Sequence, residues 1–293
     1  MKNILLTTLL ALTLTACGGA EEDVVKIGYI ASYTSAPAHI KRAQNAFIMA
    51  VEEANAQGGV AGKKVVYEIR DDRGSASDGV QVAQELISGE NVDVLVNTSY
   101  GHVTLAISEM AGHTKTPLFA SWCGVEDCVR HPYIFATEEK PSSGAKVLAK
   151  QAAKSDAKRW AFVGNTIEWS LSVSESFRQE MKKRRPDISF VDEQFTPYNK
   201  TLAGAVVQSL RKNDVEAIHI SLIGKDLIGF IREARKRKLL HNVDIYHPYL
   251  APEEVAPYMA EFPAGWTVLT YPEGQIPQAQ AFEDAYQTRF EIN

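Results

Sequence analysis

Aromatic side chains stand just past the ends of five stretches that read as strands. Tyr33 follows the first; Tyr100 and His102 follow another; Trp122, then Glu168 with Trp169, then His247 with Tyr249 follow three more. Rings gathered along one edge of a protein can stack on a flat ligand or hold a cation over their faces. Any one of them could instead plug the end of a sheet, but five together point to a shared cleft. The charges nearby leave the sign of a ligand open. Glu138, Glu139, Glu168 and Asp226 suit a cation, whereas Lys140, Lys225 and His102 suit an acid.

Bond-making chemistry has no visible machinery. The chain has no G-x-S-x-G, H-E-x-x-H, Walker or G-x-G-x-x-G pattern. The seven histidines are scattered without metal-ligand spacing, so neither a metal nor a cofactor is expected. Cys123 and Cys128 could close a short disulfide in an oxidising compartment or remain two free thiols. A bridge would give Cys123 a simpler role than that of a nucleophile. An enzyme is therefore not expected. Thirty-one Lys and Arg against 36 Asp and Glu give a formal net charge of −5, which argues against nucleic acid as a partner. The basic run Arg232, Arg235, Lys236, Arg237 and Lys238 closes a helix, where cations complement the dipole. His219 reads as a strand residue with a satisfied ring, and Asp71-Asp72 as turn and cap chemistry.

These residues must be held by a core, and the composition allows one. Of 293 residues, 45% are hydrophobic and 23% charged, enough for about two globular domains. The first sixteen residues are an address. Lys2 precedes an apolar run from Ile4 to Leu14, too short for a membrane span of about 20 residues but suited to a signal peptide. Leu14-Thr15-Ala16-Cys17 resembles the bacterial lipobox, which makes Cys17 a lipidation site and residues 17–24 a lipidated tether to the membrane. The expected location is extracytoplasmic.

Beyond the tether, strands alternate with helices. Val25–Ile30, Lys64–Ile69, Val92–Val96 and Leu118–Ser121 read as strands, with helical faces through Ala43–Ala54, Val80–Ile87 and Leu105–Ala111 between them. A second series, Trp160–Val163, Ile188–Val191, Ala217–Ile220 and Asp244–Tyr246, starts at 160, 188, 217 and 244. The steps of 28, 29 and 27 residues are the length of one strand–helix unit. The helical faces between them are Val173, Phe177 and Met181; Leu202, Ala205, Val206 and Leu210; and Leu227, Phe230, Ile231 and Ala234. This pattern predicts an α/β fold of two doubly wound parallel-sheet lobes. The chain crosses between them near residues 138–143, where Ser142 or Ser143 could cap the next helix, and again near 270–272. Residues 25–139 form the first lobe, 140–270 the second, and 271–293 return to the first with Ala281, Phe282, Ala285 and Tyr286 on one helical face.

Several strings also resemble the type I periplasmic solute-binding proteins of the leucine/isoleucine/valine-binding group. They are Val25-Lys26-Ile27-Gly28-Tyr29-Ile30, the stretch Glu52-Glu53-Ala54-Asn55-Ala56-Gln57-Gly58-Gly59-Val60-Ala61-Gly62-Lys63, Thr116-Pro117-Leu118-Phe119, Pro132-Tyr133-Ile134-Phe135 and Ile231-Arg232-Glu233-Ala234-Arg235. The resemblance implies a hinge between the lobes, a small-molecule ligand and delivery to ABC permease subunits. It also implies that a C-terminal part completing the first lobe is missing. By the same resemblance Asn97-Thr98-Ser99-Tyr100-Gly101-His102 occupies the family's Ser-rich loop, where Thr98, Ser99 and the amides of Tyr100 and Gly101 could hold an anion. Trp122-Cys123-Gly124 forms the next loop. Trp169 looks like the second-lobe ring that closes over the ligand, and Ile223-Gly224-Lys225-Asp226 and Tyr249 fall where other second-lobe contacts lie. The ligand expected is an amino acid, an amide, or an aromatic or cationic metabolite. An envelope lipoprotein that uses the same fold to regulate a protein partner is the alternative.

Overall fold

The computed structural model describes residues 23–35, 37–137, 140–250, 256–270 and 276–291. The apolar leader, Cys17, and Glu138 and Glu139 lie outside the described residues, as do Tyr271 and Pro272 of the expected second crossing. Two five-stranded sheets organise the rest. The first contains β1 (Val24–Ala31), β2 (Lys64–Asp71), β3 (Val94–Thr98), β4 (Leu118–Ala120) and β5 (Ile134–Ala136), in the spatial order β2-β1-β3-β4-β5. The second contains β6 (Arg159–Asn165), β7 (Ser189–Thr196), β8 (Ala217–Ser221), β9 (Asp244–His247) and β10 (Thr267–Val268), in the order β10-β9-β8-β6-β7. All of these pairings are parallel.

The helices that connect parallel strands cover the sheet faces. They are α1 (Pro37–Ala56), α2 (Ala76–Ser88) and α3 (Gly101–Thr114) in the first lobe. In the second they are α4 (Pro141–Ala152), α5 (Glu168–Arg184), α6 (Ala203–Lys212) and α7 (Gly224–Lys236). Parallel strands covered on both faces should read as continuous apolar runs, and β8 does: every residue from Ala217 to Ser221 is buried. Val173, Phe177 and Met181 are buried on α5, and Leu227, Phe230, Ile231 and Ala234 on α7, so both helical faces pack as their spacing requires.

Some elements depart from the expected pattern. Leu202 does not join the buried face of α6; it is the residue before the helix and is 74% exposed. Strands β5 and β10, of three and two residues, are not among the strands read from periodicity, whereas the three-residue β4 is. Neither Ser142 nor Ser143 caps α4: Lys140 takes the cap position and Pro141 opens the helix. The last helix, α8 (Pro277–Phe290), has no buried residue, and Phe282 is exposed. Its contacts run back to α1, where Arg289 pairs with Glu52 at 2.9 Å and the Tyr286 hydroxyl donates to the Arg42 carbonyl at 3.4 Å. On the first sheet, the row Tyr29–Val96–Phe119–Phe135 lies along one face. Phe47 of α1 stacks on Tyr29 at 4.6 Å, whereas Phe119 and Phe135 stack on each other and stay exposed. Among the described residues no helix is long and apolar enough to cross a membrane.

Candidate functional site

The carboxyl ends of β1, β2 and β3 are tied together by one buried carboxylate. Asp72 follows β2 and is fully buried. It accepts hydrogen bonds from the Ser32 hydroxyl at 2.7 Å, the Gly74 amide at 2.7 Å and the Ser99 hydroxyl. Asp71 beside it accepts from the Tyr33 amide at 3.0 Å, the Thr34 hydroxyl at 3.1 Å and the Arg73 amide at 2.9 Å. A carboxylate with several donors is a strong local organiser, because charge-assisted hydrogen bonds exceed neutral ones in strength. These two acids fix where Tyr33, Ser99 and Tyr100 stand.

That anchoring redistributes the anion-binding groups expected of the 97–102 loop. Thr98 is buried and shares a 2.9 Å hydrogen bond with the Tyr29 hydroxyl. Ser99 spends its proton on Asp72. Helix α3 begins at Gly101, and its first bonds to a carbonyl are those of Val103 and Thr104 to Tyr100. The Gly101 and His102 amides therefore precede the intrahelical ladder. Tyr100 donates to the Ser35 carbonyl at 3.2 Å, stacks near His102 at 6.1 Å, and is 36% exposed. The His102 Nε2 lies 3.2 Å from the Gly74 carbonyl, so this ring tethers the β2 loop.

Tyr33 and Trp122 pack together on the small cluster of Tyr29, Ala31 and Ile40. The Tyr33 hydroxyl is buried with no partner among the described residues. Burial, then the proximity of Tyr29 and Asp71, pushes its pKa well up, so it stays protonated and can donate. Directly after Trp122, Cys123 and Cys128 are joined in a disulfide with their Cα atoms 5.9 Å apart, and both are buried.

The second lobe repeats the anchoring logic with Asp226, on the first turn of α7. It is 6% exposed and accepts from Asn165 Nδ2 at 2.9 Å, the Asn199 amide at 2.7 Å and the Thr201 amide at 3.2 Å. It thus gathers the loops after β6, β7 and β8, and its oxygens are engaged inside the lobe. Gly224 opens α7 beside Tyr198, whose hydroxyl would lie 3.6 Å from a Cβ placed there. His247 is fully buried; its Nε2–H donates to the Leu222 carbonyl at 3.1 Å and its Nδ1 accepts from the Tyr249 amide at 3.3 Å, which sets Tyr249 past the end of β9. His219 is buried too, but its ring is only half satisfied: Nδ1 lies 3.4 Å from the Ser174 hydroxyl, while Nε2 has no partner among the described residues.

The lobes touch at the loop after β4. Trp169, half-buried at the start of α5, sits on Gly124, where a Cβ would come within 2.8 Å of its Cδ1. Only a glycine admits the indole this closely. Gly124 is two residues past Trp122 in the chain, so a second-lobe ring rests on the loop that carries Trp122. Glu168 beside Trp169 is exposed. Helices α3 and α5 touch there as well. Of the residues read in the sequence, Gly124 and Trp169 meet across the lobes, Tyr33 and Trp122 sit on the Tyr29 cluster, and Tyr100 stands at the start of α3; the supporting roles of Asp72, Asp226, Asn165 and Tyr198 are not legible in the sequence. Asp226 reads in the sequence as a group suited to a cation and Asp72 as turn chemistry; in the structure the Asp226 oxygens are instead taken up by Asn165, Asn199 and Thr201. Among the described residues no group of three His, Cys, Asp or Glu side chains could hold a metal.

Comparison with known proteins places the chain in a family. Residues 24–293 match the family model described as periplasmic binding protein. A Leu/Ile/Val-binding protein, BraC3 of Rhizobium johnstonii, is 24% identical over 218 residues, 73% of this chain and 58% of the relative. The chain thus spans less than two thirds of that relative's length. A solute-binding protein of an ABC transporter from Rhodopseudomonas palustris, solved with 3,4-dihydroxybenzoic acid, superposes with a TM-score of 0.75 at 20% identity over 92% of this chain and 75% of that one. The branched-chain amino acid transporter substrate-binding protein LivJ of Streptococcus pneumoniae, solved with isoleucine, gives a TM-score of 0.75 at 19% identity over 92% and 78%.

Proposed function

The chain belongs to the periplasmic binding protein family, and from that premise we propose that it captures a small organic molecule between its two lobes and hands it to an ABC importer. No bond is made or broken. The ligand favours the closed form only through contacts it makes with both lobes at once. The observation that carries this reading is the seating of Trp169 on Gly124, two residues from Trp122. A cleft beside this contact would lie at the carboxyl ends of the parallel strands, where open α/β sheets take their ligands. The same reading divides the chain at residues 139/140 and gives 271–293 to the first lobe, supported by the Arg289–Glu52 pair. It makes Cys17 the lipid anchor that keeps the protein at an extracytoplasmic membrane surface.

The ligand class follows from the lining. Tyr33, Tyr100, Trp122 and Trp169 suit a flat or apolar body, and the Gly101 and His102 amides with the Tyr33 hydroxyl supply donors for an acidic or carbonyl end. One solved relative holds an aromatic acid and another an aliphatic amino acid, so both classes belong in the test. A thermal-shift panel of benzoate, 4-hydroxybenzoate, 3,4-dihydroxybenzoate, isoleucine, aromatic amides and quaternary amines should yield a compound that raises the melting temperature, since a ligand of the native state stabilises it. Trp169→Ala should weaken that compound's binding by about 1–3 kcal/mol, the scale of one large apolar side chain. A panel in which no compound shifts the protein would remove this reading.

A further inference from the structure

The loop from Cys123 to Cys128 touches the second lobe at more than one point. Gly124 receives Trp169. Glu126, in the short helical turn Glu126–Cys128, accepts a 2.6 Å hydrogen bond from the Ser142 amide in the first turn of α4. Val125 faces the start of α3, its Cγ1 3.9 Å from a Cβ placed at Gly101. A disulfide closes the loop that carries all three.

Glu126 matters because α4 has no cap of its own. Lys140 makes no side-chain cap bond and Pro141 has no amide proton, so the Ser142 amide is the first donor of the helix. Its acceptor comes from the other lobe, and a carboxylate is the group that a helix N-terminus favours most. Opening the lobes would trade this bond for water. The disulfide holds Glu126 in place beforehand, so little freedom is lost when the contact forms.

We propose that the disulfide-closed loop 123–128 is a clasp between the lobes, with Glu126 as a positioning residue that holds α4 against the first lobe and biases the ligand-free protein towards closure. This rests on the two-lobe capture reading, but its tests need no ligand, so the two can fail separately. The first test uses the unaltered protein: amide hydrogen exchange at Ser142 without ligand. The proposal expects protection, although first-turn amides of a helix ordinarily exchange freely; exchange at the unprotected rate would overturn it.

The second test is small-angle X-ray scattering on ligand-free variants. Glu126→Ala and the double change Cys123→Ser with Cys128→Ser should each enlarge the radius of gyration relative to the parent. Glu126→Gln, whose carbonyl oxygen can still accept from Ser142, should restore most of the compact value. A loss of packing alone would not be rescued by the amide in this way. Equal radii for the parent, Glu126→Ala and the double variant would overturn the proposal. If Glu126→Ala does not fold, the exchange measurement and the double variant decide.

Discussion

Replacing Asp72 with Ala should lower the stability of the protein by about 3–5 kcal/mol, measured by urea unfolding. The carboxylate is fully buried and serves two hydroxyls and one amide. Removing it leaves those donors without an acceptor, at roughly 1–3 kcal/mol for each one that stays buried, less whatever entering water recovers. Asp72→Asn should recover only part of the loss, because its NH2 group would face a donor. The same change should loosen the loops after β1, β2 and β3, so ligand affinity should fall along with stability. A loss below about 1 kcal/mol would show that the three loops are held by their backbone contacts instead.

The second large effect is a dependence on pH. Burial, with His247 and Arg178 adding to it, lowers the pKa of His219 from its ordinary value near 6.5 to about 3. Between those limits the unfolded chain binds a proton that the folded one does not. Stability from this group is therefore complete above pH 6.5 and is lost as the pH falls towards 3. At 1.36 kcal/mol per pH unit, the loss at pH 4.5 is about 3 kcal/mol. His219→Phe should abolish it: the site already holds Phe162 and Phe177 against the ring at 5.4 and 4.5 Å, Nε2 has no partner among the described residues, and only the long Nδ1 contact to Ser174 at 3.4 Å is lost. Urea unfolding of parent and variant from pH 7.5 to 4.5 should give curves that diverge below pH 6.5, the parent falling faster. Parallel curves would show that the ring takes up its proton in the folded state.

The contrast between His219 and the strand that carries it shows where sequence reading succeeds. A run of apolar residues that recurs every 27 to 29 positions admits one economical structure, so the parallel sheets and most helical faces were visible in the order of residues alone. Leu202 falls outside the buried face although its spacing fits, because an apolar residue one step before a helix satisfies the same spacing as one inside it. Only the backbone geometry at the cap, with 74% of the residue exposed, separates them. Strands β5 and β10, of three and two residues, carry too little periodicity to be read, although the three-residue β4 is read.

The site divides along a similar line. Tyr33, Tyr100, Trp122 and Trp169 stand out in the sequence as candidates because a large ring past a strand end is conspicuous. Asp72 and Asp226 could not be assigned their role, because that role exists only when three strand ends that are far apart in sequence come together. Asp71-Asp72 looks like turn chemistry, and locally it is: the Gly74 and Arg73 amides are both donors to it. The long-range bonds from Ser32 and Ser99 are what make it an anchor. The pairing of Glu126 with α4 is invisible for the same reason, since nothing in residues 126 and 142 marks them as neighbours across two lobes.

A crystal structure with the best compound from the ligand panel bears most directly on the account. The expected result is a ligand enclosed between Trp122 of the first lobe and Trp169 of the second, with its polar end at the start of α3. A ligand held by one lobe alone with the halves apart, or bound away from both tryptophans, would contradict it.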